Sequence, residues 1–350
     1  LYVSVALAEV AVDSLVLDEA LSIPNIIDKF CHIDNNPYEN IAELINKNKI
    51  KYVVTIARGT SDCAALYCSY LFAKHLGLPT YSMPPSIITL EESKFDFSEA
   101  LVIVISQSGK SSDLVECEKK SRSMGAKTII ITNNDLSTIV NEANYFFNMF
   151  AGEERSVAAT KTFTQTLLVL TKLIFICQGK KNINDDIKKL SESLLKDSIN
   201  QWNENIIDNT INTGFIIGRG VGFALSNEIS LKFKELSQEM IEPFSSAEVM
   251  HGPKSLIQNS FKLFILGMND KSGLTVNQDI SEFKNYTNLL YQLTSDEKLK
   301  SEFYYLSNEI LEFDSIILMS KFYPWIIRYT IKKGLNPDAP RYLTKVTQTF

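Results

Sequence analysis

The segment VISQSGKSSD, residues 104–113, places hydroxyl and amide side chains directly after the apolar run ALVIVI at 100–105. The segment ARGTSD, residues 57–62, follows another apolar run in the same way. Each segment opens a predicted helix, and the free N–H groups and dipole of a helix start attract anions. Hydroxyls add neutral donors, and glycine lets the backbone approach a ligand closely. The two segments together favour a phosphate monoester as the ligand.

Either segment alone is more often an ordinary helix cap, so the case rests on finding two of them at neighbouring strand ends. In an open parallel sheet, ligands bind beyond the carboxyl ends of the strands, where both segments are expected. Neither segment matches the phosphate-binding motif GxxxxGK[ST] or the dinucleotide motif GxGxxG, so a nucleotide is not favoured.

A predicted helix at residues 223–240 carries charged residues on one face. At 100° per residue that face contains Glu228, Lys232, Glu235 and Glu239, beside an apolar stripe of Leu225, Ile229, Leu236 and Met240. The face is either a solvated row of ion pairs or a carboxylate and an ammonium aimed into a site. Proton transfer between adjacent carbons of a sugar phosphate needs such a base, together with a group that opens the ring.

The chain has three histidines, and His251 is the candidate for the ring-opening group. It lies in SSAEVMHGPK, where the following Gly-Pro indicates a loop or a helix end that can face a cleft. His32 and His75 have no motif around them. Glu235 and His251 could therefore supply the base and the ring-opening group, although spacing alone does not show it.

Composition indicates a soluble globular protein of 350 residues, long enough for two domains. The net charge is −6 and no Lys/Arg cluster stands out, so nucleic acid is not expected as a partner. Five scattered cysteines without a CxxC pair indicate a reducing, cytoplasmic setting without disulfides or zinc. Residues 1–17 are apolar but interrupted by Glu9 and Asp13, which favours an amphipathic helix or a non-native extension over a signal peptide or membrane span.

Short apolar runs alternate with helical patterns, which predicts an α/β fold with a parallel sheet. The runs are continuously apolar, as expected for strands that helices cover on both faces. The predicted strands are 51–57, 100–106 and 127–133, and the predicted helices are 61–77, 111–125 and 160–176.

The pattern restarts at GFIIGRG, residues 214–220, so that Arg219-Gly220 corresponds to Arg58-Gly59. We infer two related α/β units that divide near residues 190–205. Val221 and Gly222 occupy the positions of Thr60 and Ser61, so only the first unit is expected to hold phosphate.

Five ordered motifs resemble those of double-SIS (sugar isomerase) proteins. They are ARGTSD, ISQSGKSSD, AGEERSVAATKTF, SLKFKELSQEMIEPFSSAEVMHGP and NPDAPRYLTKVTQTF. The chain is similar to the isomerase half of glutamine–fructose-6-phosphate amidotransferase and, more closely, to SIS-type glucosamine-6-phosphate deaminases. The resemblance covers roughly residues 20–350 and is thinnest at about 269–314.

The resemblance implies two SIS domains, each a parallel five-stranded sheet flanked by helices in a three-layer αβα, flavodoxin-like arrangement. The expected division is an uncertain segment at 1–20, a phosphosugar-binding domain at 21–195, a second domain at 196–340 and a tail at 341–350 that closes the active site. A homodimer is expected, in which His251 opens the sugar ring in the site of the neighbouring subunit.

The resemblance also assigns the remaining roles. Glu235 shuttles the proton between C1 and C2 beside Lys232, and Lys345 contacts the open-chain sugar or forms a Schiff base with it. No metal or cofactor is implied, since this chemistry uses only acid–base groups. The residues implied in phosphate binding are Gly59, Thr60, Ser61, Ser106, Gln107, Ser108 and Ser111, and segment 156–161, with Ala158 and Ala159, is implied to line the sugar.

The expected activity is an aminosugar-phosphate deaminase/isomerase that converts glucosamine 6-phosphate to fructose 6-phosphate and ammonia. No glutaminase segment with an amino-terminal nucleophilic Cys is recognised, so the ammonia is expected to be free rather than drawn from glutamine. The alternatives are a fructosamine-6-phosphate deglycase, a galactosamine-6-phosphate deaminase, or a non-catalytic regulator that binds a sugar phosphate.

Overall fold

The computed structural model describes residues 14–197 and 201–345, which form two five-stranded parallel sheets. The first sheet contains β1 (Tyr52–Ile56), β2 (Thr80–Ser82), β3 (Ala100–Ile105), β4 (Lys127–Thr132) and β5 (Tyr145–Asn148), in the order β2-β1-β3-β4-β5. The second contains β6 (Thr213–Gly218), β7 (Met240–Ser245), β8 (Lys262–Gly267), β9 (Leu290–Thr294) and β10 (Phe303–Tyr304), in the order β7-β6-β8-β9-β10. Both sheets have the order 2-1-3-4-5 of flavodoxin-like domains, so the predicted fold class is confirmed.

Helices flank both sheets. The first group is α1 (Leu15–Leu21), α2 (Ile23–Phe30), α3 (Asn36–Asn46), α4 (Thr60–Leu76), α5 (Pro85–Thr89), α6 (Ser112–Ser123), α7 (Thr138–Glu142), α8 (Lys161–Cys177) and α9 (Ile183–Asp197). The second group is α10 (Val221–Lys232), α11 (Ser246–Met250), α12 (Lys271–Phe283) and α13 (Asp314–Lys332). Across the described ranges, no helix is both long and apolar enough to cross a membrane.

The predicted strands and helices of the first half are found within two residues of their expected ends. All side chains of β3 are buried, because helices cover both faces of this central strand. Helix α1 overlaps the segment predicted as uncertain, 1–20, and ends one residue after it, and residues 1–13 fall outside the described ones. The predicted boundary at 195/196 falls in the last turn of α9 and stays a prediction.

The first helix of each unit begins at a glycine in the same backbone conformation. Gly59 before α4 has φ 57° and ψ −132°, and Gly220 before α10 has φ 59° and ψ −131°. This agrees with the alignment of Arg58-Gly59 on Arg219-Gly220. Helices α4 and α10 also pack against each other, so the starts of the two units lie side by side in the interior.

The predicted helix at 223–240 ends earlier than the 100° spacing assumes. Helix α10 stops at Lys232 and continues as a π-helical turn, Phe233–Ser237, which Gln238 ends in the left-handed conformation with φ 56°. The wider π turn and this reversal move the following residues off the helical face. Met240, predicted in the apolar stripe, instead opens β7 and is 64% exposed.

Glu239 is also not on the predicted face. It precedes β7, and its carboxylate contacts β8, α13 and the residue that follows α13. Its oxygens accept hydrogen bonds from Lys262 at 2.9 Å, Lys333 at 2.7 Å and the Tyr329 hydroxyl at 2.6 Å. Glu239 and Lys262 are fully buried as an ion pair. The interpretation of a solvated row of ion pairs is therefore wrong for this residue.

We expect Glu239→Gln to destabilise the protein by about 3 kcal/mol, because the substitution leaves the buried Lys262 ammonium without its countercharge. Urea unfolding followed by circular dichroism measures this change. The control is Glu43→Gln, which removes an exposed carboxylate paired with Lys47 and should leave stability unchanged. Equal stabilities of the two variants would contradict the buried cluster.

Candidate active site

Two helix starts lie next to each other because β1 and β3 are neighbouring strands. Helix α4 follows β1 and α6 follows β3, so both begin at the same carboxyl edge of the first sheet. A cleft of about 380 Å³ opens between them. Its lining includes Gly59, Ser61, Ser106, Gln107, Ser108 and Ser111, which are six of the seven predicted phosphate residues.

The loop between β3 and α6 is held in shape by the next loop of the sheet. Thr132 donates its hydroxyl to the carbonyl of Gln107 at 3.2 Å, and the Asn134 amide donates to the carbonyl of Ser108 at 3.0 Å. Ser111 precedes α6 in an extended conformation, and its side chain makes no cap hydrogen bond. Within the first turn, the Asp113 carboxylate accepts from the backbone N–H of Leu114 at 2.9 Å. The dipole of a helix start favours an anion nearby.

An ion pair connects the two helix starts. The Arg58 guanidinium contacts the carboxylate of Asp113 at 2.6 Å, which joins the turn before α4 to the first turn of α6. Arg58 remains 43% exposed and lines the cleft, while Asp113 is buried. The pair links the two helix starts, and its guanidinium is the partner that lines the cleft.

Glu235 lies on the π turn and lines the same cleft, with 22% of its side chain exposed. Its carboxylate accepts from the ammonium of Lys232, which also donates to the hydroxyl of Thr60 at 3.0 Å. Thr60, the seventh predicted phosphate residue, therefore contacts Lys232 and is not among the described lining residues of the cleft. The predicted carboxylate and ammonium are next to each other. Glu235 lines the same cleft as residues of segments 59–61 and 106–111, the predicted phosphate loops.

A second carboxylate, Glu228, is fully buried on the other side of Lys232, at 3.4 Å from its nitrogen. The Tyr323 hydroxyl donates to Glu228 at 2.8 Å. Burial raises the pKa of Glu228 to about 7, although the Lys232 charge acts in the opposite direction. Burial alone would lower the pKa of Lys232, but Glu228 and Glu235 outweigh it and raise that pKa, so the ammonium stays charged.

The opposite side of the cleft is built from Val157 and the residues Leu343, Thr344 and Lys345. The Lys345 ammonium is paired at 3.0 Å with Glu154, a buried carboxylate that also accepts from the backbone N–H of Thr160 at 3.0 Å. Because Thr160 precedes α8, this carboxylate sits at a helix start, where negative charge is favoured.

Other predicted site residues lie away from this lining. Ala158 is buried and Ala159 is half-buried, and the described lining contains neither. His251 is exposed at the end of α11 and is likewise outside the lining of its own chain's cleft. The tail beyond 345 falls outside the described residues. The assigned roles of these residues stay predictions.

Sequence reasoning did not single out Glu154, which lies six residues before the predicted helix start at 160 and so outside the positions where a cap is expected. Val157 belongs to segment 156–161, which the resemblance implies to line the sugar, but it was not named there individually. The pairing of Glu154 with Lys345 joins residues 191 positions apart and could not be inferred from spacing.

Residues 44–176 match the SIS domain family, and this range contains β1 to β5 and both helix starts of the cleft. This part of the chain is identified as a SIS domain. A relative from Sulfurisphaera tokodaii, named glutamine–fructose-6-phosphate aminotransferase (isomerizing), is 32% identical over 305 residues. The alignment covers 84% of this chain and 49% of the relative, so the chain spans about half the length of the curated relatives it matches.

Solved structures align over nearly the whole chain. A candidate phosphosugar isomerase from Silicibacter pomeroyi DSS-3 has a TM-score of 0.84 and 27% identity, covering 93% of this chain and 100% of that one. A glucosamine-6-phosphate deaminase from Thermotoga maritima has a TM-score of 0.78 and 20% identity, covering 96% of this chain and 100% of that one, which shows a common fold. The second sheet, with the same strand order as the first, is thus part of the shared architecture.

We expect Gly109→Ala to destabilise this protein more than Gly77→Ala, by about 2 kcal/mol. Both glycines have a left-handed φ, 63° and 65°, so both variants carry the same backbone strain. Only at Gly109 would a new Cβ lie 2.7 Å from the Cβ of Ser137, and at Gly77 it meets nothing within 4 Å. Urea unfolding of the two variants checks this, and equal losses would contradict the close approach of the phosphate loop to Ser137.

We expect Glu228 to make stability depend on pH between about 4.5 and about 7. In this window the folded state keeps a proton that the unfolded state has lost, so stability falls as the pH rises. Glu228→Gln cannot titrate, and its stability should fall less across the window, by about 3 kcal/mol. Urea unfolding at several pH values measures this. The profile of Glu242→Gln, an exposed carboxylate, should follow wild type, and a parallel profile for Glu228→Gln would refute the assignment.

Proposed function

We propose that this chain is an aminosugar-phosphate deaminase/isomerase, which converts glucosamine 6-phosphate and water into fructose 6-phosphate and ammonia. The observation that carries the proposal is that one cleft contains two helix starts, the carboxylate of Glu235 and the amine of Lys345. Helix starts suit a phosphate, and a carboxylate next to a buried ammonium suits proton transfer. The names of the relatives, an isomerizing aminotransferase and a glucosamine-6-phosphate deaminase, support an amino sugar phosphate as the substrate.

The phosphate would bind at the starts of α4 and α6, where N–H groups and the hydroxyls of Ser61, Ser106 and Ser111 converge. This fixes one end of the substrate and directs its carbon chain towards Glu235, which lines the same cleft. Holding the substrate at its non-reacting end supplies the orientation that proton transfer requires.

Glu235 would move a proton from C2 to C1 of the open-chain amino sugar. Removal of the C2 proton, with protonation of the C1 carbonyl oxygen, gives an enolamine. Return of a proton to C1, with loss of one proton from the nitrogen, gives the imine of fructose 6-phosphate. Water adds to this imine and ammonia leaves. The Lys232 ammonium pairs with the Glu235 carboxylate and holds it in place between proton transfers.

Lys345 would contact the open-chain carbonyl, either as a cation or, after losing a proton, as the nucleophile of a Schiff base. The adjacent carboxylate of Glu154, at 3.0 Å, is a base that can accept that proton. Ring opening would come from His251 of the neighbouring subunit in a homodimer. The exposed position of His251, away from its own chain's cleft, is compatible with that role.

We expect Glu235→Gln to reduce ammonia release at least about a hundredfold, because it removes the proton-transfer group. Binding of glucosamine 6-phosphate should change little, since the phosphate contacts remain. A coupled assay of ammonia release, with calorimetry for binding, measures both quantities. Glu242→Gln, an exposed carboxylate on β7 paired with Lys234, is the matched control and should behave as wild type.

The same assay with glucosamine, galactosamine and fructosamine 6-phosphates separates the alternatives. Faster release from galactosamine 6-phosphate, or from fructosamine 6-phosphate, would replace the proposed substrate. Binding by the wild type without any release would favour a non-catalytic regulator. Near-normal release by Glu235→Gln would show that another group is the base.

A further inference from the structure

Helix α1 contacts two separate segments that form one side of the cleft. The first, residues 154–160, is called the wall segment and contains Val157. The second, residues 336–345, is called the C-terminal segment and ends with the three lining residues Leu343, Thr344 and Lys345. Helix α1 itself is not part of the cleft lining among the described residues, and no motif drew attention to it.

Glu19 of α1 holds the wall segment next to Val157. Its side chain is buried, with 7% exposed. One carboxylate oxygen accepts from the backbone N–H of Arg155 at 2.7 Å. The other accepts from the N–H of Ser156 at 3.3 Å and from the Ser156 hydroxyl. A buried carboxylate that receives three donors fixes the backbone that carries them, because leaving these donors unpaired is costly.

Asp338 of the C-terminal segment holds the other end of α1. Its carboxylate accepts from the backbone N–H groups of Leu15 at 2.9 Å and Val16 at 2.8 Å, and from the Ser14 hydroxyl at 3.2 Å. These N–H groups belong to the first turn of the helix, which has no partners within the helix. Helix α1 is therefore fixed by the C-terminal segment at its start and fixes the wall segment near its end.

The ion pair between Lys345 and Glu154 completes a closed chain of contacts. The wall segment is bound to α1 through Glu19, α1 to the C-terminal segment through Asp338, and the C-terminal segment back to the wall segment through Lys345. The phosphate loops at 59–61 and 106–111 make none of the contacts that Glu19 and Asp338 receive.

We propose that Glu19 is a positioning residue that sets the wall segment against the carbon chain of the substrate and couples it, through α1 and Asp338, to the C-terminal segment. This inference rests on the proposed function, since it assumes that a sugar phosphate occupies the cleft. Under this proposal, the segments that bind the phosphate and the segments that contact the sugar are held in place by different parts of the chain. Loss of Glu19 then weakens sugar binding without weakening phosphate binding.

The test compares Glu19→Gln with Asp18→Asn, which removes the same charge from an exposed position of the same helix. Calorimetry with glucosamine 6-phosphate and with inorganic phosphate gives the two affinities. We expect Glu19→Gln to bind glucosamine 6-phosphate about tenfold more weakly, as for loss of hydrogen bonds to a charged group, and to bind inorganic phosphate as wild type does. Asp18→Asn should bind both as wild type.

Equal weakening of both ligands would show a general structural role and overturn the proposal, as would unchanged affinity for the sugar phosphate. Ser156→Ala, which keeps both backbone hydrogen bonds, is the milder variant if Glu19→Gln folds poorly. It should weaken only the sugar phosphate, by about threefold.

Hydrogen exchange of the ligand-free protein tests the coupling without any substrate. Asp338→Asn should accelerate exchange in the wall segment, although Asp338 does not touch it, and unchanged exchange there would overturn the coupling. Wild type that binds glucosamine 6-phosphate but releases no ammonia would disprove the proposed function and leave the affinity test intact. If wild type binds no sugar phosphate, the test is the rate of hydrogen exchange in the wall segment of Glu19→Gln. A rate equal to that of wild type would refute the role of Glu19.

Discussion

The fully buried ammonium of Lys232 is the interaction on which the site depends, because it joins the two domains where the phosphate loops meet the candidate base. It belongs to the second domain and donates to Thr60 at the start of the first helix of the first domain. A buried charge is stable only with countercharges, and here Glu228 and Glu235 supply them. The packing of α4 against α10 brings these groups together, so the duplicated architecture itself creates the site.

The π turn explains why one of these carboxylates is buried and the other reaches the cleft. In a continuous α-helix, Glu228, Lys232 and Glu235 would occupy one face in similar surroundings. The wider turn at Phe233–Ser237 carries Glu235 outwards while Glu228 stays in the interior. Two carboxylates beside one ammonium are therefore given different surroundings, and burial raises the pKa of Glu228.

The sequence predicts the parts of this protein that depend on local pattern. β1, β3 and β4 are continuously apolar and the helices after β1 and β3 begin and end with cap residues, so their extents were close to correct. β2 is a three-residue edge strand with no such pattern. The six predicted phosphate-binding residues that line the cleft could also be grouped from the sequence, because the carboxyl ends of neighbouring parallel strands lie at one edge of the sheet. A rotation of 100° per residue does not hold through the π turn and the reversal at Gln238, so the predicted positions of Glu239 and Met240 were wrong.

Contacts between distant segments could not be predicted from local sequence patterns. They position the side of the cleft that contains Val157 and residues 343–345. Glu154 with Lys345, and Asp338 with the start of α1, join residues more than 190 positions apart. At α1 the carboxylate of the distant residue Asp338 lies at the helix start, whereas Glu154 lies at the nearby start of α8 and pairs with the distant Lys345. The starts of α1 and α8 are therefore already neutralised by carboxylates of the chain itself. The proposed anion site is at the starts of α4 and α6, which lie at the cleft.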